Sequence, residues 1–576
     1  MVDGRLRFML AAGMITVTSA LTGLGALADP GFEAGLPALP ALEALAQATE
    51  EPEPPARPFA ERLREAGSIE ALVSAAPDGW VPVATGVDYS LFKVAGPNNV
   101  HVARMARSNL DLFLETSIGL GRLTGGAERI SSQFARYEGA INYWGETWGN
   151  TNDVLVAING SFWDDQGIGI PDRGMVQSGW YAKRFTNNES GSGFVWKLSR
   201  QAFIGECVFH MPANQLITYA PVAAGETEKF QGVNRQRAAN EIVIYTHHYD
   251  KSTQTDSTGV EVLVEMTRPM LILPAPAMAL GTVRAIRDLT GNTNIPFDHV
   301  VLSATGTMRT KLLANLSVGD VIGFSNSITT YQDSDCATPM PSLDFTKAYA
   351  SLGGSYYFLE AGEIKSPGPT PANPLTAIAF NDEYIFFIVV DGRSPGMSVG
   401  MTIDQLAIFV KDTLGATYGI NQDGGGSSTM VIDGMVVNVP SDMFPPPVCH
   451  QVFIPMVTGD MEASAGPVPT ENGDEEDAES QPIDCKVSTE RPVANGIMIV
   501  ALQPKTLSTV FFEGAGVVAL ESATVRLGPG TNYASIATVG AGSSGVVQPH
   551  AAGLNGVYAK GTHWWLVNFG SVTGWV

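Results

Sequence analysis

The segment "GINQDGGGSSTMVIDG", residues 419–434, places three consecutive glycines between an aspartate and a run of hydroxyl side chains. Three glycines together indicate backbone with positive φ, or close approach of another group to the backbone. Successive N–H groups with neighbouring hydroxyls form a concave site for an anion. The segment predicts an anion-binding loop that begins at the Asp423 carboxylate. A tight turn in which the aspartate caps local backbone is the alternative interpretation.

The hydrophobic pattern on either side of this loop indicates its secondary structure. Apolar runs such as "EYIFFIVVDG" (383–392) predict strands, and "TIDQLAIFVKDTLGA" predicts an amphipathic helix. Thr402 is expected to cap the start of that helix and Gly415 to close its end. A helix packed on a mixed β-sheet follows. Asp391 and Asp423 then each follow a strand, where the ligand crevices of helix-flanked sheets usually lie.

Five motifs in the chain resemble the phosphodiester glycosidase family. They are "INGSFWDDQG", "GVNRQRAANEIVIYT", "NPLTAIAF", "VVDGRSPGMSVGMTIDQLA" and "LGATYGINQDGGGSSTMVIDGMVVNVPSD". The resemblance implies a hydrolase that removes a sugar from a phosphodiester. Carboxylates near the anomeric carbon stabilise the oxocarbenium-like state of such reactions or activate water.

The resemblance implies roles for particular residues of this chain. Asp423 is expected to be the leading catalytic carboxylate, with Asp391 as second carboxylate or positioning residue. Arg393 is expected to bind phosphate through two parallel hydrogen bonds. Asn159 and Asn421 are expected to orient sugar hydroxyls or water. The remaining substrate-binding residues that we predict are Thr376, Gly424, Gly425, Gly426, Ser427 and Ser428.

Two positions depart from the pattern of the family. Leu375 precedes Thr376 where the family commonly has Arg, and Gln422 precedes Asp423 where a Leu is usual. The first departure removes an anion contact, so Arg393 or another base such as Arg235 must compensate, or the leaving group differs. The carboxylates also leave open a bound Ca²⁺, because calcium sites are built from oxygen ligands.

The N-terminus has the features of an export signal. Arg5 and Arg7 precede an uncharged stretch that ends with "ALA" before Asp29, as in a cleaved secretory signal, although a retained anchor is the alternative. We therefore expect a secreted or cell-envelope protein. The chain carries a formal net charge of −24, which argues against nucleic acid as a partner because phosphate backbones require clustered Lys and Arg.

The C-terminal segment contains "VRLGPGTNY", "WWLVNF" and a final "TGWV", which resemble a bacterial SH3-like domain. Short strands with glycine turns suit a small barrel. The resemblance implies a cell-wall ligand, for which Trp564, Trp565 and Trp575 are a candidate stacking surface. The alternative is that these tryptophans fill the core of the barrel.

The predicted fold class is α+β, with a mixed β-sheet body, flanking helices, a β-rich insertion and a small all-β SH3-like barrel. The predicted function is an exported glycosidase acting on a sugar phosphodiester or related cell-surface glycan. The alternatives are a hydrolase of a phosphate-free glycosidic bond and a non-catalytic glycan-binding or wall-binding surface protein. The predicted segments are a signal peptide (1–28), a low-complexity linker with a short helix (29–79), the glycosidase-like domain (80–460) with its insertion (190–350), an acidic linker (461–490) and the SH3-like domain (515–576).

Overall fold

The computed structural model describes residues 58–164, 169–185, 192–205, 208–330, 345–443 and 488–576. The predicted signal peptide, the N-terminal linker up to residue 57 and the acidic linker up to residue 487 lie outside the described residues. So do the four cysteines, Cys207, Cys336, Cys449 and Cys485.

Strands account for 43% of the residues and helices for 12%, which confirms an α+β fold in which sheet dominates. The helices of the described residues are α1 (Phe59–Ala66), α2 (Ile69–Ser74), α3 (Ile130–Tyr137), α4 (Gly306–Asn315) and α5 (Ile403–Asp412). Short 3₁₀ turns occur at Gly119–Gly121, Pro212–Asn214, Val222–Ala224 and Gly425–Ser427.

The strands up to the end of the insertion are β1 (Val81–Ala84), β2 (Val87–Val94), β3 (Asn98–Ala106), β4 (Leu112–Ile118), β5 (Ile141–Trp144), β6 (Thr147–Asn159), β7 (Met175–Gln177), β8 (Trp180–Lys183), β9 (Ser192–Lys197), β10 (Ala202–Gly205), β11 (Phe209–His210), β12 (Leu216–Thr218), β13 (Thr227–Lys229), β14 (Gly232–Val233), β15 (Ile242–Tyr245), β16 (Val260–Met266), β17 (Ala279–Asp288), β18 (His299–Ala304), β19 (Val321–Ser325), β20 (Ile328–Thr329) and β21 (Ala348–Gly354).

The remaining strands are β22 (Tyr356–Glu360), β23 (Glu363–Ile364), β24 (Leu375–Phe380), β25 (Tyr384–Val390), β26 (Tyr418–Asn421), β27 (Met430–Ile432), β28 (Met435–Val436), β29 (Asp442–Met443), β30 (Ser488–Thr489), β31 (Asn495–Gln503), β32 (Gly516–Val518), β33 (Ala523–Arg526), β34 (Ser535–Val539), β35 (Ser544–Val547), β36 (Val557–Ala559), β37 (Thr562–Trp564), β38 (Leu566–Asn568) and β39 (Thr573–Trp575).

The first body sheet has the strand order β1-β2-β3-β25-β24-β26-β22-β23. Every neighbouring pair in it is antiparallel, so the prediction of a mixed sheet is wrong for this layer. The reason is that a short hairpin joins β24 to β25, whereas parallel neighbours need a long crossover. Because β25 and β26 both pair antiparallel with β24, they run in the same direction and end at the same edge of the sheet.

Helix α5 connects β25 to β26 and confirms the helix predicted from the sequence. Thr402 accepts a hydrogen bond from the Gln405 backbone N–H, and the Gln405 side chain accepts one from Thr402, which forms a capping box. Gly415 follows the helix with φ of 65°. The face carrying Leu406 and Val410 is buried against apolar residues of the first body sheet.

The second body sheet has the order β28-β27-β6-β31-β4, and β5 pairs with β6. Strand β31 follows the acidic linker, yet it lies between β6 and β4 in the interior of this sheet, with antiparallel register to both. Its residues Ile497 and Ile499 are fully buried. The chain therefore returns to the body after the linker before it forms the C-terminal sheet.

Two further sheets flank the body. A five-stranded sheet has the order β10-β9-β21-β7-β8, and an eight-stranded insertion sheet has the order β13-β12-β19-β17-β16-β18-β15-β14. The insertion sheet contains the parallel pair β14 and β15, while its other pairs are antiparallel. The segment that we predicted as β-rich thus contains a sheet of its own.

The C-terminal sheet has the order β32-β35-β38-β39-β33-β34, beside the hairpin of β36 and β37. It packs on the insertion, since Phe297 N–H donates to the Leu527 carbonyl at 3.0 Å. Trp564 and Trp575 are 6% and 2% exposed and belong to an apolar cluster shared with the insertion. The structure therefore favours the core role for these two tryptophans, and Trp565 is half-buried.

Among the described residues, none of the helices combines the length and apolar character that crossing a lipid bilayer requires.

Candidate active site

The glycine loop lies between β26 and β27. The structure shows why its first two glycines cannot easily be replaced by residues with a side chain. Gly425 has φ of 63°, in the left-handed region that side chains disfavour. A Cβ atom at Gly425 would lie 2.8 Å from Nη2 of Arg393, and one at Gly424 would lie 2.7 Å from the Pro374 carbonyl oxygen. The prediction of positive φ and of close approach is therefore confirmed at this loop.

The third glycine faces a residue that the sequence did not indicate. A Cβ atom at Gly426 would lie 2.6 Å from Nη2 of Arg491 and 2.7 Å from Oδ1 of Asp442. Arg491 follows the acidic linker, and its Nε and Nη2 contact the two Asp442 carboxylate oxygens at 3.0 and 2.8 Å. Its side chain is 37% exposed. Two guanidinium groups, from Arg393 and Arg491, therefore lie over neighbouring glycines.

Of the three glycine N–H groups that the sequence predicted to bind an anion, that of Gly425 is bonded to the protein. The N–H of Gly425 donates to the Pro374 carbonyl at 2.9 Å, and those of Ser427 and Ser428 close the 3₁₀ turn onto Gly424 and Gly425. These donors are used within the protein, because the loop is wound into a helical turn. The side chains of Arg393 and Arg491 supply positive charge beside the loop.

Asp423 lies at the start of the loop and is 8% exposed. Burial raises the pKa of its carboxyl to about 6, an effect that the Ser427 hydroxyl and the Arg491 charge partly oppose. Its backbone is fixed on both sides, because its N–H donates to the Gly160 carbonyl at 2.9 Å and its carbonyl accepts from Nδ2 of Asn159 at 2.7 Å. The carboxyl therefore titrates near neutral pH on a rigid support.

Asn159 joins the two body sheets below the loop. Its Oδ1 accepts hydrogen bonds from the Thr376 hydroxyl at 2.7 Å and from the Thr429 N–H at 3.1 Å, while its Nδ2 contacts the Asp423 carbonyl. Asn159 and Thr376 are both fully buried. The structure thus places these predicted substrate-binding residues beside Asp423, where their recorded contacts are with the protein.

Asp391 lies at the end of β25 and is almost completely buried. Its Oδ1 accepts from Nδ2 of Asn438 at 3.2 Å and from the Val439 N–H at 3.0 Å, and its Oδ2 contacts Nε2 of His101 at 3.1 Å. Asn438 also donates to the Ser428 carbonyl at 3.0 Å. Asp391 is therefore connected to the glycine loop through Asn438.

His101 extends this chain of hydrogen bonds across the sheet. Its Nδ1 lies 2.8 Å from the Tyr89 hydroxyl, and its Nε2 contacts Asp391. Both side chains are buried, and burial raises the pKa of the Tyr89 hydroxyl well above its ordinary value. Tyr89 therefore stays protonated and can donate to His101, which orients the ring toward Asp391.

Several buried polar atoms around the loop have no hydrogen-bond partner among the described residues. They are Oδ1 of Asn421, both side-chain polar atoms of Gln422, and the hydroxyls of Ser428 and Thr429. A buried polar atom without a partner costs about 1–3 kcal/mol. Unpartnered atoms concentrated within nine residues, directly beside a carboxyl with a raised pKa, are typical of a functional site.

The structure also shows where Leu375 and Arg235 lie relative to the loop. Leu375 begins β24 and is buried in an apolar cluster, with its side chain near Gly424. Arg235 forms a two-contact ion pair with Glu241 next to the insertion sheet, at 2.8 and 3.0 Å. Arg491 therefore lies at the loop together with Arg393, whereas Arg235 does not.

The sequence patterns did not indicate Arg491, His101 or Asn438 as residues of the site. Asn438 lies within the motif "LGATYGINQDGGGSSTMVIDGMVVNVPSD", which is the signal in the sequence that could have indicated it. Arg491 and His101 reach the site only through sheet pairing: β29 and β30 bring the chain back beside the loop, and β3 lies next to β25. No local pattern around either residue indicates that placement.

The carboxylates of the site do not form a metal-ligand cluster in the described part of the chain. The group of potential metal ligands among the described residues lies elsewhere and consists of Glu265, Asp298 and His550. Both oxygens of Asp391 already accept hydrogen bonds from protein donors. The possibility of Ca²⁺ at Asp391 and Asp423 gains no geometric support from these contacts.

The phosphodiester glycosidase family model matches residues 297–450 of this chain. That range contains Asp391 and Asp423, whereas Asn159 and Arg491 lie outside it. The match supports a hydrolase of the glycosidase type. No curated protein matches the sequence.

Several solved structures are similar to this chain, and three of them are as follows. A hypothetical protein from Synechocystis has 13% identity and a TM-score of 0.42, and the similarity covers 73% of this chain and 63% of that protein, which is less than two thirds of its length. A candidate exported protein from Burkholderia pseudomallei has 17% identity, a TM-score of 0.40 and coverages of 71% and 74%. The zebrafish N-acetylglucosamine-1-phosphodiester α-N-acetylglucosaminidase catalytic domain, auto-inhibited by its pro-peptide, has 12% identity, a TM-score of 0.32 and coverages of 72% and 81%.

Proposed function

We propose that this protein is a phosphodiester glycosidase that hydrolyses the bond between a sugar and a phosphodiester. The observation that carries the proposal is the position of Asp423. Its carboxyl has a pKa of about 6. The residue stands at the start of the glycine loop, over which Arg393 and Arg491 lie. The family match over residues 297–450 supports the same class of reaction.

In this proposal the phosphate binds between the two guanidinium groups. Guanidinium recognises phosphate through parallel hydrogen bonds, and charge-assisted contacts of this kind are worth about 1.5–3 kcal/mol each. Gly425 and Gly426 let the two guanidinium groups lie close to the loop backbone. Arg491 supplies the positive charge that the leucine at position 375 cannot, while Asp442 holds its guanidinium in place.

Asp423 acts as the ionised carboxylate. Cleavage of the sugar–oxygen bond develops positive charge at the anomeric carbon, and a carboxylate beside it stabilises that charge or takes a proton from the attacking water. The leaving phosphate is a weak base, so it needs oriented donors more than a strong acid. At neutral pH a carboxyl with a pKa of about 6 is mostly ionised and still basic enough to accept a proton.

Asp391, Asn159 and Thr376 are positioning residues in this account. Their hydrogen bonds run to His101, Asn438 and the backbone around Asp423. The unpartnered oxygen of Asn421 and the hydroxyls of Ser428 and Thr429 are the groups left to meet sugar hydroxyls.

We also propose that the protein is exported and that its C-terminal sheet is an SH3-like module for a cell-wall ligand. The basis is the N-terminal sequence pattern and the three C-terminal motifs. Fractionation of cells that express the full chain, with N-terminal sequencing of the product, tests export. Retention in the cytoplasm with an intact N-terminus would contradict it.

The reaction is tested by assaying the purified protein on matched substrates. One set carries a sugar linked to a phosphodiester, and the other carries the same sugars linked to a neutral alcohol. The proposal expects turnover of the first set only. Turnover of both sets equally would favour a phosphate-free glycosidase. Saturable binding without turnover of any substrate would favour a glycan-binding protein.

A further inference from the structure

A cavity of about 690 Å³ lies between the insertion sheet and the C-terminal sheet, away from the glycine loop. One wall is polar and contains Glu265 of β16, Asp298 just before β18, and His550 of the C-terminal segment. One donor atom from each of these three side chains lies within 4.8 Å of the other two. The proposed glycosidase chemistry uses none of them.

The three side chains are partly prepared for a shared ligand. Nε2 of His550 lies 3.0 Å from Oδ2 of Asp298, a separation that two ligands of one ion also have. His299 contacts the other Asp298 oxygen through Nδ1 at 2.7 Å and so fixes the orientation of the carboxylate. Nε2 is therefore the His550 nitrogen that faces the cluster, while Nδ1, the other ring nitrogen, is buried without a hydrogen-bond partner among the described residues.

We propose that Glu265, Asp298 and His550 form a binding site for a divalent transition-metal ion, with Zn²⁺ as the best-matched ion. One imidazole and two carboxylates are a donor set that Zn²⁺ accepts, with bonds of about 2.0–2.2 Å, whereas Ca²⁺ prefers an all-oxygen set. The cavity leaves an open position for water or a ligand.

Closing the site requires a small movement of Glu265. Ligand atoms around a tetrahedral ion lie roughly 3–3.5 Å apart, so the widest separation here must shrink by up to about 1.5 Å. The Glu265 side chain is 12% exposed, more than Asp298 at 6% or His550 at 4%, and it faces the open cavity. It is the ligand with the most freedom to move.

Arg284 is the competing cation. Both its Nε and its Nη2 contact Oε2 of Glu265, which leaves Oε1 for the metal. Because Arg284 would repel a bound ion, its removal is expected to tighten metal binding. A bound ion would join the insertion, through Glu265 and Asp298, to the C-terminal segment, through His550, and binding to the folded state alone would raise the melting temperature.

The test is calorimetric titration of the metal-stripped full chain with Zn²⁺ and, separately, with Ca²⁺. We expect one equivalent of Zn²⁺ to bind, a higher melting temperature with Zn²⁺, and no matching response to Ca²⁺. Co²⁺ bound in place of Zn²⁺ should give visible absorption bands that report the ligand geometry. The Asp423→Asn variant should bind Zn²⁺ as the wild type does, which separates this site from the glycine loop.

Three variants make the assignment specific. Glu265→Gln should weaken Zn²⁺ binding at least about tenfold, whereas Glu513→Gln, which changes a carboxylate in the same cavity outside the cluster, should not. Glu513 accepts only a 3.4 Å contact from the His550 N–H, which glutamine can keep. Arg284→Met should tighten binding several-fold. Absence of Zn²⁺ binding, equal effects of the two glutamine variants, or loss of binding in Asp423→Asn would overturn the proposal.

Discussion

The Asp423 carboxylate is suited to the proposed hydrolysis, but its burial lowers the stability of the folded protein at neutral pH. Its folded-state pKa of about 6 lies above the ordinary value of 3.8, because burial disfavours the charged form. A raised carboxyl pKa means that stability is greatest when the group is protonated and is lost as pH rises from about 4 through 6. The ionised carboxylate therefore destabilises the fold at neutral pH.

Replacement of Asp423 by asparagine should consequently stabilise the protein at pH 7. A shift of about two units corresponds to roughly 3 kcal/mol as an upper bound, so we expect a gain on the order of 1–3 kcal/mol. Thermal melts at pH 7 and pH 4 measure it, and the difference between variant and wild type should shrink at pH 4. A variant less stable than the wild type at pH 7 would show that the carboxylate is a structural cap.

The proposed role of Arg491 in binding the phosphate can also be measured directly. Arg491→Met keeps an unbranched apolar stem and removes the guanidinium charge, so KM for a glycosyl phosphodiester should rise by about 10-fold or more, from the loss of a contact worth about 1.5–3 kcal/mol. Turnover of a matched neutral glycoside, where detectable, should not change. Arg235→Met is the control, because Arg235 pairs with Glu241 outside the site. Equal KM changes in the two variants would remove Arg491 from the phosphate site.

At the scale of elements, the glycine loop requires both a backbone with positive φ and free space for the Arg393 side chain. Comparing Gly425 with Gly434 separates these two requirements. Gly425 and Gly434 have similar positive φ values of 63° and 74°. A Cβ atom at Gly425 would meet Arg393, whereas the nearest atom to one at Gly434 is 4.0 Å away on Phe134.

Gly425→Ala and Gly434→Ala should each cost about 1–2 kcal/mol of stability through backbone strain. Only Gly425→Ala should also raise KM for the phosphodiester, since its methyl group displaces Arg393. Melting curves and steady-state kinetics on the two variants measure both effects. If Gly434→Ala impairs catalysis as strongly as Gly425→Ala, then strain in the β26–β28 region, and not clearance at Arg393, explains the loss.

The sequence predicted those elements whose signals are local. Helix α5 was predictable because the capping residue, the apolar face and the closing glycine all stand within fifteen residues. The common edge of Asp391 and Asp423 followed from strand, helix and strand in succession. The antiparallel pairing of β24 and β25, the position of β31 and the arrival of Arg491 depend on contacts between residues far apart in the chain, which no periodicity records.

At the scale of the whole molecule, the C-terminal segment is part of the body and not only an appendage. Strand β31 lies between β4 and β6, and it brings Asn495, whose carbonyl accepts from Gly160 directly beside the site, at 3.0 Å. The contact of Lys560 N–H with the Gly139 carbonyl at 2.8 Å adds a further link to the body.

A chain that ends at residue 485 should therefore fail to fold. It lacks β31, which exposes apolar faces of β4 and β6 and leaves their backbone hydrogen bonds unmade. Circular dichroism and a cooperative melt of the truncated protein, beside the full chain, measure this. A truncated protein that melts at the wild-type temperature and keeps activity on a small soluble substrate would show that the C-terminal segment is an independent module.

In the proposed reaction the ionised carboxylate of Asp423 carries the hydrolysis of a glycosyl phosphodiester. The most direct measurement is kcat for wild type and Asp423→Asn on such a substrate, with the wild-type profile of kcat/KM against pH. We expect kcat to fall by roughly 10² or more in a variant that is folded, and wild-type kcat/KM to decline as pH falls through about 6. A folded Asp423→Asn variant with near-normal kcat, or a wild-type profile that rises below pH 6, would contradict the account.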